Sequence, residues 1–186
     1  LEKFNVKLYK LASFEITDLR LIDYIARTKK PVIISTGMAT IKEIKTAIKI
    51  IKKYHNKIII LYCVSGYPTS LKDANINSIK KLKKKFGNYL IGLSDHTDNI
   101  FSSLTATALG SCVIEKHYNL SKKNKTLDSQ FSIDSIQLQE LRNFSDKIFS
   151  SMGKESIGPK KAEKESLKLR RSLFTTKDIA KGEKFS

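Results

Sequence analysis

The chain has 186 residues, 40% of them apolar, and its 35 Lys and Arg against 18 Asp and Glu leave a formal net charge of +17; that is apolar material for one packed core. Its longest apolar stretches, such as Ile58 to Val64, fall far short of the roughly 20 residues a membrane-spanning helix needs, which excludes a transmembrane segment. Cys63 and Cys112 each sit in an apolar strand-like run and form no paired framework, so disulfide and zinc-finger readings are excluded and reduced thiols in a cytoplasmic protein are expected.

The first strand-like run is Lys7 to Ala12, followed by a helical pattern from Asp18 to Thr28 whose Leu19, Ile22, Ile25 and Ala26 share a face. Pro31 to Ser35 reads as the next strand, and Ile41 to Tyr54 as a helix with Ile41, Ile44, Ile48 and Ile51 at near-helical spacing. Ile58 to Val64 is a very apolar strand, Asn75 to Phe86 the third helix, and Leu90 to Ser94 the fourth strand. A small-residue helix from Ile100 to Leu109, a strand from Ser111 to His117 and a long helix from Asp134 to Met152 complete five strand–helix units. Lysines recur along these helices, among them Lys42, Lys45, Lys49, Lys52 and Lys53, interleaved with Ile and Leu. That spacing describes solvated helical faces. Neither the aromatic interleaving of an RNA platform nor a DNA-binding motif accompanies the charge, so neither nucleic acid nor a membrane is expected as a partner.

Strict alternation of short apolar strands with helices implies parallel strands joined by crossover helices, hence an α/β fold, either doubly wound or a (β/α) barrel. The glycine patterns of dinucleotide and P-loop sites are missing. Polar residues instead close each strand: Lys10 and Ser13, Ser35, Ser65 and Tyr67, Ser94 and His96, Glu115 and His117. Barrel enzymes collect their chemistry on that rim. Five units cannot close an eightfold barrel, so residues 1–153 are expected to be the C-terminal part of one, lacking about three units. Residues 154–170 read as a charged linker, and residues 171–186 begin a new apolar pattern with a Lys-Gly-Glu turn.

Side chains alternate across a strand, so residues two apart share a face. Cys63, Ser65 and Tyr67 therefore share one side, as do Ser94 with His96 and Glu115 with His117, while Asp95 and Lys116 point the other way. Two imidazoles on neighbouring strand ends can bind one divalent ion, with water or substrate completing the shell; the competing reading is two structural histidines. Ser35, Ser65 and Ser94 are either helix N-caps or, with Lys10, an anion site suited to phosphate. Glu15 and Asp18 offer an acid, a base or a cap, and capping suits Asp18 better. Asp128 either meets sugar hydroxyls or caps the last helix. Cys63 reads as packing, and His55, in a Lys-rich helix end, as solvated surface.

Tyr9-Lys-Leu-Ala-Ser-Phe-Glu15, Pro31-Val-Ile-Ile-Ser-Thr-Gly-Met38, Cys63 to Pro68, Gly92-Leu-Ser-Asp-His-Thr97 and Ile114-Glu-Lys-His117 together resemble the sialic acid (nonulosonic acid) synthase family over almost the whole chain. The most specific element is the pair of motifs that sets the two histidines 21 positions apart. The resemblance implies a TIM-type (β/α)8 barrel followed by a small antifreeze-like domain, of which this chain would hold barrel strands four to eight and the beginning of the second domain. It implies condensation of phosphoenolpyruvate with an open-chain N-acetylated amino sugar, releasing phosphate. By position His96 and His117 match the family's ligands for manganese or magnesium. Lys10, Ser13, Ser35, Ser65 and Ser94 match phosphoenolpyruvate contacts, Tyr67 and Asp128 match positions near the acceptor, and Glu15 matches a catalytic acidic position. Several relatives carry Asn where this chain has Ser65. Phe14, Asp128 to Ser132 and Arg170 to Phe174 are most similar to the pseudaminic acid synthase branch, with N-acetylneuraminate or legionaminic acid synthases as the alternative. A homodimer is implied for the full-length protein. More distant alternatives are another phosphate-binding barrel enzyme and an inactive fragment.

Overall fold

Runs of Ile, Val and Leu broken by lysine-rich helical patterns fold as the periodicity predicts. The computed structural model describes residues 2–120 and 126–184. Its regular elements, in chain order, are β1 (Tyr9–Leu11), α1 (Leu19–Arg27), β2 (Val32–Ser35), α2 (Ile41–Ile51), β3 (Ile58–Cys63), α3 (Ser78–Phe86), β4 (Leu90–Asp95), α4 (Phe101–Ala108), β5 (Ile114–Lys116) and α5 (Ser135–Met152). All five strands are parallel and lie in sequence order in one sheet.

The ends of these elements are set by local chemistry. Asp18 caps α1 by accepting the Leu21 N–H at 3.0 Å. Thr40 and Glu43 form a reciprocal capping box on α2, and Asp134 with Gln137 does the same on α5. Helices α3 and α4 start after Asn77 and Ile100 with no side-chain cap, so none of Ser35, Ser65, Ser94 and Asp128 caps an α-helix. Helix α2 stops three residues short of the expected Tyr54, where the chain tightens into 3-10 type bonds such as Tyr54 N–H to Ile51 C=O at 3.0 Å. Helix α3 begins at Ser78 instead of Asn75, because Asn75 adopts a left-handed φ of 43°.

Alternation in the strands splits the chemistry between two faces. Leu11, Val32, Ile34, Ile58, Ile60, Ile91 and Leu93 point outward and are buried against Ile22, Ile25, Ile44, Ile48, Ile51, Ile79, Leu82 and Phe86 of the helices. This layer is the core. The opposite face is concave: Lys10 on one edge strand and Glu115 on the other bring Nζ and Oε1 within 3.5 Å. The sheet is thus curled into a half-barrel. Gly92 in β4 permits part of that curl, since a Cβ there would stand 2.3 Å from the Val113 carbonyl oxygen and 2.6 Å from Leu61 Cδ2.

The chain divides into two compact units, Leu1–Gly153 and Lys154–Ser186. The regular structure of the second among the described residues is two 3-10 turns, Lys161–Glu163 and Ser166–Leu169, and nearly all its side chains are exposed.

His55 departs from expectation. It is half-buried, its Nδ1 accepts the Lys57 N–H at 3.1 Å, and its Nε2 is enclosed without a partner. Burial, helped by the Lys57 charge, holds its pKa below the ordinary 6.5. The unfolded chain then binds this proton more readily than the folded one, so stability is lost as pH falls through the unfolded value. His55→Gln is expected to reduce the drop in melting temperature between about pH 7.5 and about pH 5.5; an equal drop in the variant would show that the acid sensitivity arises elsewhere.

Candidate active site

The inner face of the half-barrel gathers polar side chains at the C-terminal ends of the strands, where barrel enzymes place their chemistry. One corner carries the groups an anion site uses, hydroxyls and an ammonium. The Ser13 and Ser65 hydroxyls are 2.8 Å apart, joining the turn after β1 to the loop after β3. Gly37, with φ of 46°, allows the end of β2 to close over them, since a Cβ would come within 2.4 Å of Ser13 Cβ and 2.7 Å of Ser65 Oγ. Ser35 is 1% exposed and its hydroxyl has no partner within the protein. A buried orphan hydroxyl on a polar face fits a ligand atom. Lys10 supplies the cation: its Nζ donates to the Leu11 carbonyl at 3.0 Å and lies 3.5 Å from Glu115. Glu115 in turn accepts the Ser94 hydroxyl at 2.7 Å, so β1, β4 and β5 are linked across the concavity.

The other corner holds the histidines. His96 is 6% exposed and its Nδ1 is 2.9 Å from the Val64 carbonyl. A carbonyl only accepts, so Nδ1 carries the proton and Nε2 presents a lone pair. Nδ1 of His117 lies 3.4 Å from the Asp128 carboxylate, which orients that ring in the same sense. The two ring centres are 5.3 Å apart. Two imidazoles sharing one ion at nitrogen–metal distances of about 2.1 Å bring their centres to roughly 5 Å, so this pair fits a divalent ion. Among the described residues no group of three or more His, Cys, Asp and Glu converges, so water or substrate would complete the shell, as hard cations such as magnesium accept. Burial lowers the His96 pKa against the raising effect of the Val64 bond, with the His117 charge lowering it further. The imidazole is therefore in its ligating, neutral form at neutral pH. Tyr67 packs 4.3 Å from the His96 ring, and Phe131 stands edge-on to His117 at 4.8 Å.

Most of the residues expected from the sequence meet here: Lys10, Ser13, Ser65, Tyr67, Ser94, His96, His117 and Asp128 are linked by these contacts, and Ser35 lies on the same face. Glu15 is engaged locally, its Oε2 accepting the Ala12 N–H at 2.7 Å. Cys63 is buried with Sγ 3.9 Å from His96 Nδ1, and burial raises its pKa; it packs the floor of the site as an unreactive thiol. The sequence places Glu115 on the rim without a role, and it gives no site role to Gly37, Phe131 or the Val64 carbonyl. Parity alone marks Glu115, and a glycine two residues beyond a strand-end serine marks Gly37; nothing local marks a backbone carbonyl or a loop phenylalanine.

Residues 1–157 match the family described as NeuB. This chain belongs to the NeuB family. It is 44% identical over 186 residues to a pseudaminic acid synthase of Helicobacter pylori, a match covering 98% of this chain and 54% of that protein. It is 39% identical over 190 residues to an N,N'-diacetyllegionaminic acid synthase of Campylobacter jejuni, covering all of this chain and 57% of that protein. Among solved structures, an N-acetylneuraminic acid (sialic acid) synthetase from Leptospira borgpetersenii in complex with citrate is similar at a TM-score of 0.86 and 35% identity, over 93% of this chain and 60% of that one. The chain spans about half the length of the curated relatives it matches.

The close fit of Gly37 over Ser13 and Ser65 gives a direct check on the anion corner. Gly37→Ala is expected to weaken binding of inorganic phosphate about tenfold, the worth of one charge-assisted hydrogen bond, in isothermal titration; unchanged affinity would place the anion elsewhere.

Proposed function

We propose that this chain carries the substrate-handling face of a nonulosonic acid synthase, which joins phosphoenolpyruvate to an open-chain N-acetylated amino sugar and releases phosphate, with pseudaminic acid the favoured product. The observation that carries this reading is the meeting, on one concave face, of two imidazoles, each with Nδ1 engaged, and a hydroxyl-rich corner that holds the Lys10–Glu115 ion pair.

In this reading Lys10 holds the negative charge of phosphoenolpyruvate, and Ser13, Ser35, Ser65 and Ser94 donate hydroxyls to its oxygens. Glu115 keeps the Lys10 ammonium aimed across the concavity. Tyr67 and Asp128, both partly exposed beside the histidines, meet the sugar. C3 of phosphoenolpyruvate bonds the aldehyde carbon, water adds to C2, and phosphate leaves with the oxygen that joined it to C2. His96 and His117 would hold a manganese or magnesium ion, which when bound would supply Lewis-acid polarisation of a carbonyl oxygen. The protein's own contribution is orientation: two substrates held on adjacent corners of a rigid sheet react as an intramolecular pair. Glu15 orders the turn that carries Ser13, and acts as acid or base after releasing the Ala12 N–H. Preference for the pseudaminic precursor is supported by the 44% identity to the Helicobacter enzyme and by Phe14, which projects from the same turn with 62% exposure. A phenyl ring at that rim shapes the entrance for the sugar.

Phosphate release by the full-length protein, followed with phosphoenolpyruvate and each of the sugar precursors of pseudaminic, legionaminic and N-acetylneuraminic acids, tests this reading. Release should require both substrates and be fastest with the pseudaminic precursor. His117→Ala should lower kcat/KM at least about 100-fold. Turnover that survives a chelator, or phosphate release without a sugar, would overturn it.

A further inference from the structure

The helix side of β4 and β5 carries a feature that the reaction above does not use. Asp95 and Lys116 are register partners on these strands, their side chains only 2% and 4% exposed, with Lys116 Nζ 3.2 Å from Asp95 Oδ2. Every surrounding bond is made. Asp95 Oδ1 accepts the Thr97 N–H at 2.9 Å and its hydroxyl at 2.8 Å, while Oδ2 accepts the Ser103 hydroxyl of α4 at 2.6 Å. Lys116 Nζ donates to the Thr97 carbonyl as well.

Burying two charges, even among the hydroxyls of Thr97 and Ser103, costs more than an apolar pair of the same volume, so stability alone does not account for them. Their location does. Asp95 lies between Ser94 and His96, and Lys116 between Glu115 and His117, so the outward pair alternates with the inward site groups. Strand β5 is held to β4 by three register pairs, Leu93 with Ile114, Ser94 with Glu115 and Asp95 with Lys116. A slip of one residue would turn His117 outward and Lys116 into the concavity. The backbone next to each histidine is also fixed: the His96 carbonyl accepts the Thr69 N–H at 2.9 Å and the His117 carbonyl accepts the Ile133 N–H at 2.9 Å. Lys116 adds to the Ser94–Glu115 bond a second side-chain link between the two strand ends, because its ammonium reaches the residue that follows His96.

We propose that Asp95 and Lys116 are positioning residues that set the two imidazoles against each other, with the Lys116 ammonium tying β5 to the Thr97 carbonyl beside His96. The inference rests on the reading of His96 and His117 as a pair acting on one ion.

The test uses the full-length protein and the double variant Asp95→Leu/Lys116→Met, which removes both charges and leaves none unpaired, with Asp95→Asn/Lys116→Gln as the near-isosteric substitute if the first does not fold. Two readouts are taken on protein whose melting temperature is within a few degrees of wild type. Nitrogen-15 NMR of the metal-free histidine side chains should show a single Nδ1–H tautomer for His96 in the wild type and a mixture in the variant. Manganese titration followed by electron paramagnetic resonance should show an affinity about 10–100-fold weaker in the variant. Either change supports the proposal, and a variant with the wild-type tautomer and wild-type manganese affinity overturns it. If the wild type itself binds no manganese, the reading of the histidines as an ion site fails, and the tautomer signature alone decides the positioning role.

Discussion

Five parallel strands that bury one face against helices have no choice about where their polar residues go. The pleat has a period of two, so once Leu11, Ile34, Ile60 and Leu93 are committed to the helix layer, Lys10, Ser35, Cys63, Ser94 and Glu115 face the opposite side. Curling of the sheet then does what no single strand can. It brings Lys10 at one edge within ion-pair distance of Glu115 at the other, although three strands lie between them in the sheet. The candidate site is a consequence of that curl together with the apolar layer behind it.

Within the concavity the electrostatics divide into two regimes. The anion corner pairs one ammonium with one carboxylate and surrounds them with hydroxyls, leaving Ser35 without a protein partner. In the histidine corner, burial holds the His96 proton affinity down while the Val64 carbonyl fixes which of its nitrogens carries the remaining hydrogen. One corner suits a phosphate and a carboxylate; the other presents lone pairs. The large positive charge of the chain plays little part in this, because many of its cations are exposed away from the concavity, as in α2, where Lys42, Lys45 and Lys49 face solvent.

Much of this was legible in the sequence. The alternation of apolar strands with amphipathic helices gave the α/β class, and parity correctly separated Ser94 and His96 from Asp95, and Glu115 and His117 from Lys116. Strand-end serines are ambiguous in sequence, because a cap and a ligand contact use the same hydroxyl; the N-termini of α2, α3 and α4 at Thr40, Asn77 and Ile100 resolve it. His55 reads as surface because its neighbours in sequence are polar, while its neighbours in space enclose its Nε2. Long-range contacts were the part local pattern cannot supply: the Ser13–Ser65 bond spans 52 positions, and the Val64 carbonyl that selects the His96 tautomer is a backbone group with no signature of its own.

The central claim is that His96 and His117 present bare Nε2 atoms to a single ion beside the anion corner. Anomalous diffraction at the manganese edge, from crystals of the full-length protein soaked in manganese, tests it most directly. The account predicts one strong peak about 2.2 Å from both Nε2 atoms. Separate peaks on the two histidines, or a single peak elsewhere with both rings free, would contradict it.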